Sequence, residues 1–226
     1  MRREICLVGL LLSVVCGSHV AADSRAQSHL TECKARSHML SDFRTGSISV
    51  VSPDQSNRIL LAKDFSLKVI KGGEEVGSLQ IPDMDSNIRI VWAPDSRKFS
   101  VTYSDSGAEG VYHVRLYLLR NDGITEIPRP VDAAFEDFKK HYNCLVRGNN
   151  ISLLGWTSDS NAVFLVAQVY PTSDCGSIWQ EWAGYLVNLQ GNILHRYGKK
   201  QTKTIEDSCE KSDRVFLSAP SVPDGP

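Results

Sequence analysis

One pattern recurs three times along the chain, and it restricts the fold more than anything else in the sequence. Residues 48–61 read ISVVSPDQSNRILL, residues 89–103 read RIVWAPDSRKFSVTY, and residues 152–166 read SLLGWTSDSNAVFLV. Each copy sets an apolar run before a turn that ends in Asp54, Asp95 or Asp159, and a second apolar run follows. Pro, Asp, Ser and Asn suit a tight turn because their fixed φ or short polar side chains satisfy local backbone groups, while β-branched and aromatic flanks suit half-buried strands. Each copy therefore predicts strand, turn, strand.

A further strand pair follows each copy. Phe65, Leu67 and Val69, then Tyr112, Val114, Leu116 and Leu118, then Tyr185, Val187 and Leu189 alternate with polar residues, which is the period of a strand. Glycine-bearing turns come next (Gly72 and Gly73, Gly123, Gly191), and then short last strands at 76–81, 124–127 and 193–197. The expected fold class is mainly β: about three four-stranded antiparallel meanders, over 47–81, 88–128 and 151–198. Asp54 and Asp95 lie 41 residues apart, the length of one propeller blade, but Asp95 and Asp159 lie 64 apart. Residues 131–142 account for the excess. Val131, Ala134, Phe135, Phe138 and Tyr142 fall at helical spacing, with Asp132 early and Lys139 and Lys140 late, as the helix dipole prefers.

VSPD, WAPD and WTSD resemble the aromatic-x-Pro-Asp repeats of TolB-like, WD-repeat-like β-propellers, over roughly residues 47–197. The resemblance implies a propeller-like array of blades. The glycine that such repeats carry after the Asp is Gln55, Ser96 and Ser160 here; Val51 replaces the aromatic of the first copy and Ser158 the proline of the third. Three blades are fewer than the four of the smallest ordinary propellers. The open edges are expected to be covered either by the terminal segments, 23–46 and 199–218, with 214–217 as a closing strand, or by a second copy of the chain completing six blades.

The first 22 residues read as an export signal: Arg2 and Arg3, an apolar run from Ile5 to Val15, and the small residues Val20, Ala21 and Ala22 before the cleavage point. The run is shorter than the ~20 residues that span a bilayer, so a secreted or periplasmic protein with no membrane span after cleavage is expected. Removal of the signal leaves Cys33, Cys144, Cys175 and Cys209, an even number in an oxidising compartment. Their spacing fits neither a zinc knuckle nor a thioredoxin pair. Of the three connectivities open to four cysteines, blade geometry favours Cys144 with Cys175, in loops at one face of the third unit, and Cys33 with Cys209, tying the ends. Residues 219–226, with three prolines, read as a disordered tail.

The chain of 226 residues carries 25 Lys plus Arg against 26 Asp plus Glu and is 42% hydrophobic. Such a balance lacks the basic surface of a nucleic-acid binder and the polarity of a disordered chain. Nucleophile elbow, metal-binding helix, phosphate loop and dinucleotide fingerprint are all absent from the sequence, so no cofactor or metal is expected. Asp83, Asp85 and Asn87 imitate the start of a calcium loop, but Ile88 stands where the loop needs glycine. His113 falls on the polar side of a strand, and Asn150-Ile151-Ser152 has the form of a glycosylation sequon. Tyr170, Trp179 and Trp182, on the loop that carries Cys175, form a candidate contact patch.

The leading expectation is a non-catalytic binding module for a protein, a glycan or an envelope component. The alternatives are a hydrolase with Asp83, Asp85 and Asp105 on the loop face, and a structural subunit that forms a homodimer.

Overall fold

The computed structural model describes residues 36–40, 48–62, 66–81, 88–104, 111–142, 150–169, 175, 178 and 181–217. Residues 1–22, read above as an export signal, Cys33, Asp83, Asp85, Asp105, Cys144, Tyr170, Trp179 and residues 219–226, read as a tail, lie outside them. The protein is mainly β. Sheet I consists of β2 (Ile48–Val51), β3 (Asn57–Leu61), β4 (Ser66–Lys71) and β5 (Glu74–Gln80), in that order and antiparallel throughout. Sheet II repeats the meander with β6 (Ile88–Trp92), β7 (Lys98–Ser104), β8 (Tyr112–Arg120) and β9 (Gly123–Glu126). Sheet III does so again with β10 (Ile151–Trp156), β11 (Ala162–Gln168), β12 (Trp182–Asn188) and β13 (Ile193–Tyr197). The three meanders fall where the repeated pattern puts them.

Burial within each sheet reports its place in the stack. In sheet I the strand β3 alternates buried and exposed positions, since only Val50, Ile59, Leu61, Leu67 and Val69 meet Trp92, Phe99, Val101, Tyr103 and Tyr117 of sheet II. Its other face carries Arg58 and an ion pair between Lys68 and Glu75 at 3.0 Å. Strand β7 is buried on both faces, because sheet II lies between two neighbours. Its second face joins sheet III through Val91, Val114, Leu116, Trp156, Val163 and Leu165.

Helix α1 (Arg129–His141) replaces what would otherwise be a simple turn between sheets II and III. Pro130 suits the first turn, where its missing N–H costs nothing, and Val131, Ala134, Phe135 and Phe138 enter the same core as the two sheets.

The chain ends depart from expectation. Residues 214–217 are not a strand but the last turn of helix α2 (Lys199–Leu217). Thr202, Ile205 and Cys209 recur on one face, and Ile205 and Cys209 bury with Leu154, Phe164, Leu186 and Tyr197 on the outer side of sheet III. At Gly184 a methyl group would stand 2.6 Å from Thr202 Oγ1, so the missing side chain is what lets the helix lie this close. Strand β1 (Arg36–Leu40) pairs with β6, which makes sheet II five-stranded, rather than covering an outer sheet.

Candidate functional site

The three Asp turns share one construction. The Asp carboxylate accepts the N–H two residues on: Asp54 from Ser56 at 2.9 Å, Asp95 from Arg97 at 2.9 Å and Asp159 from Asn161 at 3.0 Å. Ser52 and Thr157 add a hydroxyl to the carboxylate at 2.7 and 2.6 Å, whereas Ala93 cannot. For Asp54, burial works against ionisation, but the hydrogen bonds from Ser52 and Ser56 outweigh it and bring the carboxyl down to about 2. Asp159 is lowered as well, chiefly by Thr157. The next residue is left-handed in every turn: Gln55 at φ 65°, Ser96 at 58° and Ser160 at 60°. These are the positions at which the resembling repeats carry glycine, the residue that takes this conformation without strain.

Serine at this position does something that glycine cannot. Ser96 Oγ accepts the Asp54 N–H of sheet I at 3.0 Å, and Ser160 Oγ accepts the Asp95 N–H of sheet II at 3.0 Å. The tryptophan of each turn also reaches back: Trp92 Nε1 donates to the Val50 carbonyl at 3.2 Å, and Trp156 Nε1 to the Val91 carbonyl at 3.3 Å. Every unit thus holds the one before it with a Trp and a Ser. No described sheet precedes the first unit, and it has Val51 and Gln55 at those two positions. Gln55→Gly should therefore raise the unfolding free energy by about 1 kcal/mol, since strain is relieved and no bridge is lost. Ser96→Gly should give no such gain, because the Asp54 N–H loses its acceptor. Urea denaturation of the two variants measures the difference.

The paired turns of sheets I and II form one wall of a cleft of about 750 Å³ at the end of their seam. Asp54 and Ser56 come from the first turn, Ser96 and Arg97 from the second, Lys71 from the end of β4, Leu118, Leu119 and Arg120 from the end of β8, and Asn121 and Asp122 from the β8–β9 turn. Lys71 Nζ donates to Asn121 Oδ1 across the seam at 2.8 Å. The Leu119 N–H bonds to the Arg97 carbonyl at 2.8 Å, which sets Arg120 beside the Asp95 turn. Arg97 and Arg120 are exposed, and their guanidinium groups have no hydrogen-bond or ion-pair partner among the described residues. Asp54, in contrast, is committed to its own turn.

Two other polar clusters bring groups of opposite charge together. A smaller cavity of about 250 Å³ beside the start of α1 holds His113, Arg115, Glu126 and Asp132. There His113 stacks on Tyr103 with centroids 5.3 Å apart, Arg115 lies 3.9 Å from Glu126, and burial pushes Tyr117 up to about 12. Asp137 of α1 meets His141 at 3.3 Å and Arg196 of β13 at 3.6 Å, and Arg196 Nε also donates to Tyr185 OH at 3.4 Å. That cluster fastens α1 to sheet III. Among the described residues no three His, Cys, Asp or Glu side chains come together as a metal site would require.

Of the aromatic patch read from the sequence, Trp182 is described: it begins β12 opposite Gln168 and is half-buried. Cys175 packs against the core between sheets II and III, Cys209 is on the buried face of α2, and each is disulfide-bonded. Their expected mates, Cys144 and Cys33, lie outside the described residues. Asn150 is buried, and its Oδ1 accepts the Tyr112 N–H at 3.2 Å, which closes the sequon to a bulky modification. Sequence reasoning missed Arg97 and Arg120 because they are 23 residues apart and meet only through the register of β7 and β8. No helix among the described residues is long and apolar enough to cross a membrane. No protein-family model matches the sequence, and no curated protein matches it.

Proposed function

We propose that the protein is an exported, non-catalytic binding module built on a propeller-like array, and that the seam cleft between sheets I and II is its contact site. One observation carries this reading: two exposed guanidinium groups, unpartnered among the described residues, line a cleft whose backbone is fixed by a hydrogen bond between the turns. Loops placed by a rigid scaffold are where binding groups concentrate. The order of charged, apolar and small residues in 1–22 supports export. The bonded state of Cys175 and Cys209 supports two disulfides, 144–175 and 33–209. Helix α2 covers the outer face of sheet III, the face a next blade would use, which favours a self-contained chain over a six-bladed homodimer.

The test is a panel of saccharides and peptides presented to the purified full chain, with a parallel screen of chromogenic hydrolase substrates. Saturable binding without turnover is the expected result. Reproducible turnover of any substrate would put a hydrolase in place of this reading.

A further inference from the structure

Resting on the seam cleft as the contact site, we propose that its ligand is an acidic oligosaccharide, one bearing uronate carboxylates or sulfate esters. The charge at the cleft decides the sign. Lys71, Arg97 and Arg120 supply three cations against Asp54 and Asp122, and the Asp54 carboxylate already accepts hydrogen bonds from Ser52 Oγ, Ser56 N and Ser56 Oγ. What faces an incoming ligand is therefore two open guanidinium forks and an ammonium group against two exposed carboxylates, one of them, Asp54, already hydrogen-bonded within its own turn, so that the excess charge is positive. A guanidinium fork matches the paired oxygens of a carboxylate or sulfate and binds them with two parallel hydrogen bonds.

The rest of the lining decides the class. Ser56 and Asn121 are exposed; the Ser56 hydroxyl donates to Asp54 and Asn121 Oδ1 accepts from Lys71, which leaves the Ser56 oxygen to accept from, and the Asn121 amide N–H groups to donate to, sugar hydroxyls. The lining contains no aromatic side chain, and its one deeply buried apolar residue, Leu119, belongs to the core between sheets I and II. A peptide held in a groove needs apolar pockets for its side chains or a free strand edge for its backbone. The strand residues that line this cleft belong to β3, β4 and β8, each paired on both sides, and the half-buried Leu118 is a single apolar contact rather than a set of pockets. A neutral saccharide would leave both guanidinium groups without anionic partners. The cleft volume of about 750 Å³ is that of a small-ligand site.

Isothermal titration of the full chain tests the proposal with five probes: a heparin-derived hexasaccharide, a hexagalacturonate, cellohexaose, hexaglutamate and inorganic sulfate. At least one acidic saccharide should bind at least tenfold more tightly than cellohexaose, hexaglutamate and sulfate, and the stronger of the two acidic arms identifies sulfate or carboxylate as the anion. Raising NaCl from 20 to 200 mM should weaken binding, because the contacts are exposed. R97A/R120A should lose at least tenfold in affinity, R97K/R120K should recover only part of it, and R58A, a cation removed from the outer face of sheet I, should stay within twofold. Unchanged melting of R97A/R120A would establish that the loss is local.

Equal binding of cellohexaose, or equal binding of hexaglutamate, would overturn the ligand class. So would an R97A/R120A variant that binds normally. If no saccharide binds but the wider panel finds another ligand without turnover, the acidic-saccharide proposal fails while the binding module stands. Hydrolysis of a probe would remove the binding-module reading itself.

Discussion

Trp92→Ala should destabilise the protein by about 3–5 kcal/mol, the range for deleting a large aromatic side chain from a core. Trp92 is fully buried, its ring lies 5.2 Å from that of Phe99, and its indole N–H holds the Val50 carbonyl across the seam. The loss should fall unevenly. Amide hydrogen exchange in β2 to β5 should accelerate well before that in β10 to β13, because the residue fastens sheet I to sheet II and does not touch the interface with sheet III. Trp92→Phe should cost about 1–2 kcal/mol, mainly the bond and the smaller ring. The converse substitution, Val51→Trp, should add no stability, since no described sheet lies on that side to receive the indole. A Trp92→Ala variant that loses less than about 1 kcal/mol, or that loosens all three sheets alike, would refute the account of the seam.

Gly184→Ala should be costly for so small a change, about 1–3 kcal/mol as for an overpacked core. The added methyl would meet Thr202 Oγ1 at 2.6 Å, Cγ2 at 2.9 Å and Cβ at 3.2 Å. Helix α2 must move outward to admit it. Faster exchange should appear across 199–209, together with exposure of Phe164 and Tyr197 beneath the helix. Thr202→Ala removes the two nearest atoms but also the bond from Thr202 Oγ1 to the Gly198 carbonyl at 3.0 Å. The double variant Gly184→Ala/Thr202→Ala should therefore be more stable than the sum of the single changes, by about 1 kcal/mol or more in a double-mutant cycle. Strict additivity would mean that the helix is not seated on Gly184.

Much of this fold is legible in the amino-acid sequence. Period-two alternation and the Asp turns place all three meanders, and the apolar spacing from Val131 to Phe138 places helix α1 to within two residues. These signals are local, so they survive in the sequence. The C-terminal helix is different. Its buried contacts rest on Thr202, Ile205 and Cys209 among Lys199, Lys200, Lys203, Glu206 and Asp207, while Val215, Phe216 and Leu217 make a short apolar run that imitates a strand. The pairing of residues 36–40 with β6 leaves no trace either, because a partner some fifty residues away contributes nothing to a local pattern.

The candidate site was legible only in pieces. The left-handed position after each Asp is visible as a departure from glycine, but the use of Ser96 and Ser160 emerges only when the neighbouring sheet is present. Arg97 and Arg120 carry no motif at all. Strand register, a property of the folded chain, brings them to one cleft.

The fastening of each unit to its predecessor has a direction, and that direction bears on how such a chain can lengthen. A duplicate of the middle unit, spliced in behind the original, would arrive with its own indole and hydroxyl ready to grip the copy ahead of it. A duplicate of the front unit would bring neither and would leave a gap wherever it was placed. Growth by gene duplication is thus open in the interior of the chain and shut at its head.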